Sequence, residues 1–250
     1  MKKINKSVFT LAEVATHVGK SKNKRKFAFT LAEVLVTLGI IGVVAVLTVP
    51  NVISNYQKKV YVTQLQKAYN QISNALELLM VDEEVDNLND TSLFCSEKCY
   101  EDGLERVKLY EFLTKYFKVV KNCLGHYEDP ECVVNNYKKL DGSPSYLGFT
   151  DYVTLKSGMT LWISGNDYGS PLYVSVDVNG VNKGPNVWGR DAFNFDVNYK
   201  GEIAESFRYY PNHLDPEINS YNDPNRCFNN ELYGGGCLTK IINDGWKMDY

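Results

Sequence analysis

Residues 24–50, KRKFAFTLAEVLVTLGIIGVVAVLTVP, decide how this chain is read: a basic run meets a single acid and then a long apolar segment. Val34 to Gln57 holds no charged side chain, and Leu35 to Val49 is apolar apart from Thr37, Thr48 and two glycines. As one helix, Phe29 to Val49 rises about 1.5 Å per residue, roughly 32 Å in all, enough to cross a bilayer core. The stretch therefore predicts a membrane span, and Gly39 and Gly42 would let a second helix approach it closely. Glu33 stands out, because a carboxylate at membrane depth costs on the order of 2.5–3.5 kcal/mol. Nothing local in the sequence reads as a reason for it. The expectation is an intermolecular partner, namely an amino group freed by cutting the chain just upstream and supplied by a neighbouring copy. No small-x-small site follows the apolar core near Val49 to Ser54, which argues against an ordinary cleaved secretory signal.

The residues Ala28, Phe29, Thr30, Leu31, Ala32, Glu33, Val34 and Leu35 resemble the class III signal sequence of type IV pilins and type II secretion pseudopilins. The resemblance implies cleavage between Ala28 and Phe29 by a prepilin peptidase, methylation of the new N-terminus at Phe29, and pairing of Glu33 with a neighbour's terminal amine. Pro50 lies where many members of that family have a helix-kinking proline. Because proline removes a helix hydrogen bond and clashes with the preceding turn, a bend or local melting is expected at Thr48 to Pro50. Ala28 replaces the glycine usual before the cut and keeps a small residue there. The implied organisation is a cytoplasmic leader (1–28), a membrane-spanning and assembly helix (29–49) and a globular domain (50–250) outside the inner membrane. The implied partners are the peptidase and methylase, membrane lipid before assembly, and other pilin-like subunits in a periplasmic or surface filament.

Charge agrees with that orientation. Residues 1–28 hold eight Lys or Arg and one Glu, a net of +7, which leaves −10 on the remainder of a chain whose total is −3. The basic end should stay cytoplasmic, and an acidic remainder is poorly suited to binding nucleic acid. With 250 residues and 44% hydrophobic content, the chain can bury a core of ordinary domain size. All six cysteines lie in the proposed outer part, where disulfides form. The close spacings favour Cys95 with Cys99, Cys123 with Cys132, and Cys227 with Cys237. Zinc is disfavoured because no CxxC or His-x-His spacing occurs and His126 and His213 are isolated.

Beyond Pro50 the apolar residues Tyr61, Leu65, Ala68, Ile72, Leu76 and Leu79 recur at intervals of three and four, which predicts an amphipathic helix ending in the acidic run Asp82, Glu83, Glu84 and Asp86. A second helix is predicted from Leu104 to Val120, with Leu104, Val107, Leu113, Phe117 and Val120 on one side. From Ser145 the period falls to two: Tyr152–Leu155, Met159–Ile163, Leu172–Val178 and Phe193–Tyr199 read as strands. Residues 206–250 read as a tail with little regular structure, and residues 9–14 repeat the FTLAEV of 29–34 without an apolar segment to insert. The fold class expected is α+β, a long N-terminal helix packed on an antiparallel sheet, in the manner of pilins.

Asp177, Asn179, Asn182 and Asp191 gather oxygen ligands in a turn-rich stretch, and calcium takes six to eight such oxygens. Major pseudopilins bind calcium in the same region, so the resemblance makes these four candidate calcium ligands. Lys183 and Arg190 dilute the field, and a plain turn loop explains the same residues. No GxSxG, HExxH, P-loop or GxGxxG motif in a strand-to-helix setting is present, and no other cofactor is expected. The expectation is a structural subunit of a type II secretion pseudopilus or a type IV pilus. The alternative is a single-pass anchored binding or enzymatic domain that does not polymerise.

Overall fold

A computed structural model of the chain describes residues 29–94, 104–126, 128–145, 148–165, 172–205, 227 and 235–250. Ala28, the 9–14 repeat, Cys95 and Cys99 lie outside the described residues. The chain divides into two units, Met1–Pro50 and Asn51–Tyr250.

Helix α1 runs from Leu31 to Asp82 and contains Pro50. The expected melting at Thr48 to Pro50 does not occur, since helix continues through these residues. Proline removes one backbone donor, and a long helix can absorb that loss. The Thr48 hydroxyl donates to the Val44 carbonyl at 2.9 Å, so its polar group is satisfied inside the apolar segment. The helix ends where expected, in a Schellman arrangement: Val85 N–H donates to the Met80 carbonyl, Glu84 N–H to that of Val81, and Glu84 takes a left-handed φ of 56°.

Within Asn51–Tyr250, the α1 stripe of Tyr61, Val62, Leu65, Ala68, Ile72, Ala75, Leu76 and Leu79 is buried. It shares one core with the sheet residues Val153, Leu161, Val174 and Phe193. The sheet has six antiparallel strands in sequential order, β1 (Val119–Asn122), β2 (Val153–Leu155), β3 (Thr160–Gly165), β4 (Leu172–Asp177), β5 (Ala192–Val197) and β6 (Ile203–Glu205). This is an α+β arrangement of the pilin kind. Every residue of β4 and β5 is buried, including the polar Ser175, Asp177, Asn194 and Asp196, so the period-two alternation puts these on one face of the sheet and Val174, Val176, Phe193 and Phe195 on the other.

Three predicted boundaries are corrected. The second helix, α2 (Leu104–Tyr116), stops short of Val120, because the β-branched pair Val119–Val120 opens β1 and pairs with β2. Its buried face is Leu109, Phe112 and Leu113, while Val107 is exposed. Strand β6 follows a turn in which the Asn198 side chain accepts from the amides of Lys200 and Glu202. The tail, read as irregular, contains a third helix, α3 (Cys237–Asn243), whose Cys237, Leu238 and Ile241 are buried. After it, Trp246 meets Tyr69 of α1 edge-on at 5.6 Å.

The loop between β4 and β5 closes on itself. Asp177 Oδ1 accepts from the amides of Asn179 (3.2 Å) and Gly180 (2.7 Å), and its Oδ2 accepts from the Tyr137 hydroxyl. Asp191 accepts from the amides of Val187 (2.7 Å) and Asn186 (2.9 Å). Asn179 donates to the Gly184 carbonyl, and Asn186 to that of Val181. Gly180, at φ 94°, lies so close to the Gly158 carbonyl that a Cβ would collide with it. A second buried cluster, including Tyr137, Phe149, Tyr152 and Trp188, supports the loop, with the Phe149 and Trp188 rings stacked at 5.6 Å.

Burial pushes the Asp177 carboxyl up to about 7, with Asp191 nearby adding to the effect and hydrogen bonds opposing it. Burial also raises Asp191 and Tyr137. A carboxyl whose pKa is higher folded than unfolded holds its proton longer in the native state. Its stabilising contribution is full below about pH 4 and is lost as pH rises through about 7. The unfolding free energy of the detergent-solubilised chain should therefore rise as pH is lowered from about 8 to about 5, by on the order of a few kcal/mol at most, and an upward shift of the thermal midpoint reads it out. Asp177→Asn, which keeps an acceptor for the two amides, should flatten that dependence; an unchanged slope in the variant would assign it to other groups.

Candidate functional site

The start of α1 is built from its sequence in a recognisable way. The Thr30 amide and hydroxyl both donate to Glu33 Oε2 at 2.8 Å, and the Glu33 amide donates to the Thr30 hydroxyl at 3.2 Å. Val34 N–H then closes the first turn on the Thr30 carbonyl. Thr-Leu-Ala-Glu is thus a capping box, which satisfies amides that a helix start otherwise leaves unpaired. It also sets a negative charge at the positive end of the helix dipole.

The expectation that Glu33 has no local role is corrected by this geometry. The signal was present in the sequence: Thr at the cap, Glu three residues later, and an apolar run behind them. The box uses only one carboxylate oxygen, since no hydrogen bond reaches Oε1 from the described residues. A second, external donor can therefore be accepted without undoing the cap.

Around this acid the helix is apolar on every side. Phe29 is 84% exposed, and Leu31, Leu35, Leu38, Ile41, Val44 and Leu47 are all exposed as well. No residue from Phe29 to Pro50 is buried. A helix that is hydrophobic all round and buried by nothing in its own chain is suited to lipid or to other helices. By length and composition α1 can cross a membrane. A Cβ at Gly39 or Gly42 would meet nothing within 4 Å, so neither glycine is required by contacts inside the chain.

The Cys123 and Cys132 side chains share a buried cluster with Val181 and Trp188 of the β4–β5 loop. Cys123 is bonded to Cys132, and Cys227 to Cys237; the first bridge closes a short loop and the second fixes the start of α3. Neither pair can serve as a nucleophile while oxidised. In the 177–191 loop, the Asp177 and Asp191 carboxylates are occupied by N–H and O–H donors from their own chain, and Asn182 is exposed. The Asn179 and Asn186 side-chain oxygens are buried in the same loop with no hydrogen-bond partner. Among the described residues no group of three or more His, Cys, Asp or Glu side chains is placed to hold a metal ion.

Residues 23–49 match the family described as the prokaryotic N-terminal methylation motif. Comparison of the chain with curated proteins and with solved structures gives no match. The matched segment includes Ala28 and Phe29, the capping box and the exposed apolar start of α1. On that match, the chain carries the N-terminal processing signature of type IV pilins and pseudopilins.

Proposed function

We propose that the chain is a prepilin-like structural subunit, cut between Ala28 and Phe29, methylated at Phe29, and assembled through its apolar helix into a type II secretion pseudopilus or a type IV pilus. The observation that carries the reading is Glu33, which caps its own helix through one oxygen and leaves the other open among exposed apolar side chains. A neighbour's terminal amine would meet that oxygen where little water competes, and a charge-assisted hydrogen bond is strong in such surroundings. Processing places the leader in the cytoplasm and the 51–250 unit on the opposite side of the inner membrane. The partners in this reading are the prepilin peptidase and other pilin-like subunits.

The anchored, non-polymerising reading draws support from the same capping box, because helix initiation alone gives Glu33 a use. The two readings separate on one substitution. Glu33→Gln keeps the capping box, since Gln serves at that position, but removes the charge. It should insert and be cut normally, while its incorporation into filaments falls by about tenfold or more, as loss of only ~1.4 kcal/mol per subunit would require. Normal incorporation of Glu33→Gln would leave capping as the whole role. Glu33→Ala should lose both functions and additionally weaken the helix start by about 1 kcal/mol, read as lower helicity of the N-terminal segment.

Processing is tested independently of assembly. Mass spectrometry of the purified mature protein should find N-methylated Phe29 at its start, and an intact Met1 would instead support the anchor. Ala28→Asp should accumulate a larger, uncut precursor on a gel, and a mature-sized band from that variant would move the cleavage site elsewhere.

A further inference from the structure

On α1, Gln57, Lys58 and Tyr61 face Lys183, Pro185 and Arg190 of the β4–β5 loop across an open cleft of about 410 Å³. Three of these side chains are cations. None of Lys58, Lys183 and Arg190 lies within ion-pair distance of a carboxylate among the described residues. The carboxylates whose charge reaches Tyr61, Asp191 and Asp177, are buried and saturated by their own donors. The Tyr61 and Gln57 side chains add neutral hydrogen-bond donors. The cleft therefore presents ammonium, guanidinium, phenol and amide groups together, which is the donor set a phosphate takes.

Its place along the chain narrows the ligand. Val52, Ile53 and Tyr56 continue the exposed apolar surface past Pro50, and Lys58 follows Ile53 by five residues, a helical rise of about 8 Å. Tyrosine at such a boundary favours the membrane–water interface, and the polar headgroup layer begins where the hydrocarbon ends. We propose that this cleft binds the phosphate of an anionic phospholipid headgroup in the leaflet beyond Val49. The proposal rests on Phe29–Val49 lying in a bilayer. A second basic cleft, lined by Lys67, Lys118 and Lys156, begins nine residues past Lys58 on α1, a helical rise of roughly 14 Å, and provides a matched control.

The test uses the full chain reconstituted in bilayers of phosphatidylcholine with a minority of phosphatidylglycerol. Lipids retained on the released protein are counted by native mass spectrometry. Phosphatidylglycerol should be enriched several-fold over its share of the bilayer. The enrichment should fall about fivefold for each of Lys58→Gln and Lys183→Gln, persist in Lys58→Arg, and be unaffected by Lys67→Gln with Lys156→Gln. Equal retention of the two lipids, or enrichment that survives Lys58→Gln with Lys183→Gln, overturns the proposal. Displacement of phosphatidylglycerol by inorganic phosphate would reassign the cleft to a soluble anion and overturn it likewise. An alkaline wash separates the two layers of the argument: a chain that washes out refutes the membrane span itself, whereas a chain that stays without headgroup preference refutes only the cleft.

Discussion

A helix from which twenty consecutive residues bury nothing against their own chain sets the terms for everything else in this protein. Apolar surface of that extent is unfavourable in water at roughly 25 cal/mol for every Å², so the segment must be covered by lipid, by like helices, or by each in turn. Glu33 is the single departure from that rule between Thr30 and Gln57. Its capping of the first turn explains how a carboxylate is tolerated there: one oxygen is already solvated by two donors of Thr30 before any partner arrives. What remains is a net charge that pairs with no cation among the described residues.

The second unit follows a different logic. Its acids are used inward as well as outward, and the deepest two, Asp177 and Asp191, organise a loop by accepting backbone amides that no strand could pair. Buried amides are costly when unpaired, so the carboxylates serve the loop's backbone. The same loop then offers Lys183 and Arg190 at its surface. A negative interior and a positive rim are produced by one short segment.

Much of this was legible in residue order, and the failures have physical reasons. The stripe of Tyr61, Leu65, Ala68, Ile72, Leu76 and Leu79 shows helical spacing because it packs against a single sheet face, so the period survives. Strands β4 and β5 alternate apolar residues with Ser175, Asp177, Asn194 and Asp196 and were visible by that period, whereas the four-residue β1 and three-residue β6 are too short to establish one. At Val119 the apolar spacing of α2 continued on paper into residues whose branching favours a strand. The N-terminal site was legible as composition, a long apolar run with one acid. The Thr30 capping box is also written there, as Thr followed three residues later by Glu, but its hydrogen bonds appear only once the first turn is folded. In the 177–191 loop the oxygen-bearing side chains are legible in the sequence, whereas the amides that donate to Asp177 and Asp191 are placed only by the folded backbone.

The order of the strands in the sheet is also their order in the chain, β1 through β6. Each strand therefore finds its mate next door, and no segment must wait for a distant one or thread between others. Pairing between strands that neighbour each other in sequence keeps the sheet's contacts comparatively local, which favours fast folding. The connecting turns of such a meander can lengthen or shrink through evolution while the pairing scheme stays intact, which lets one tethered scaffold carry many different outer surfaces.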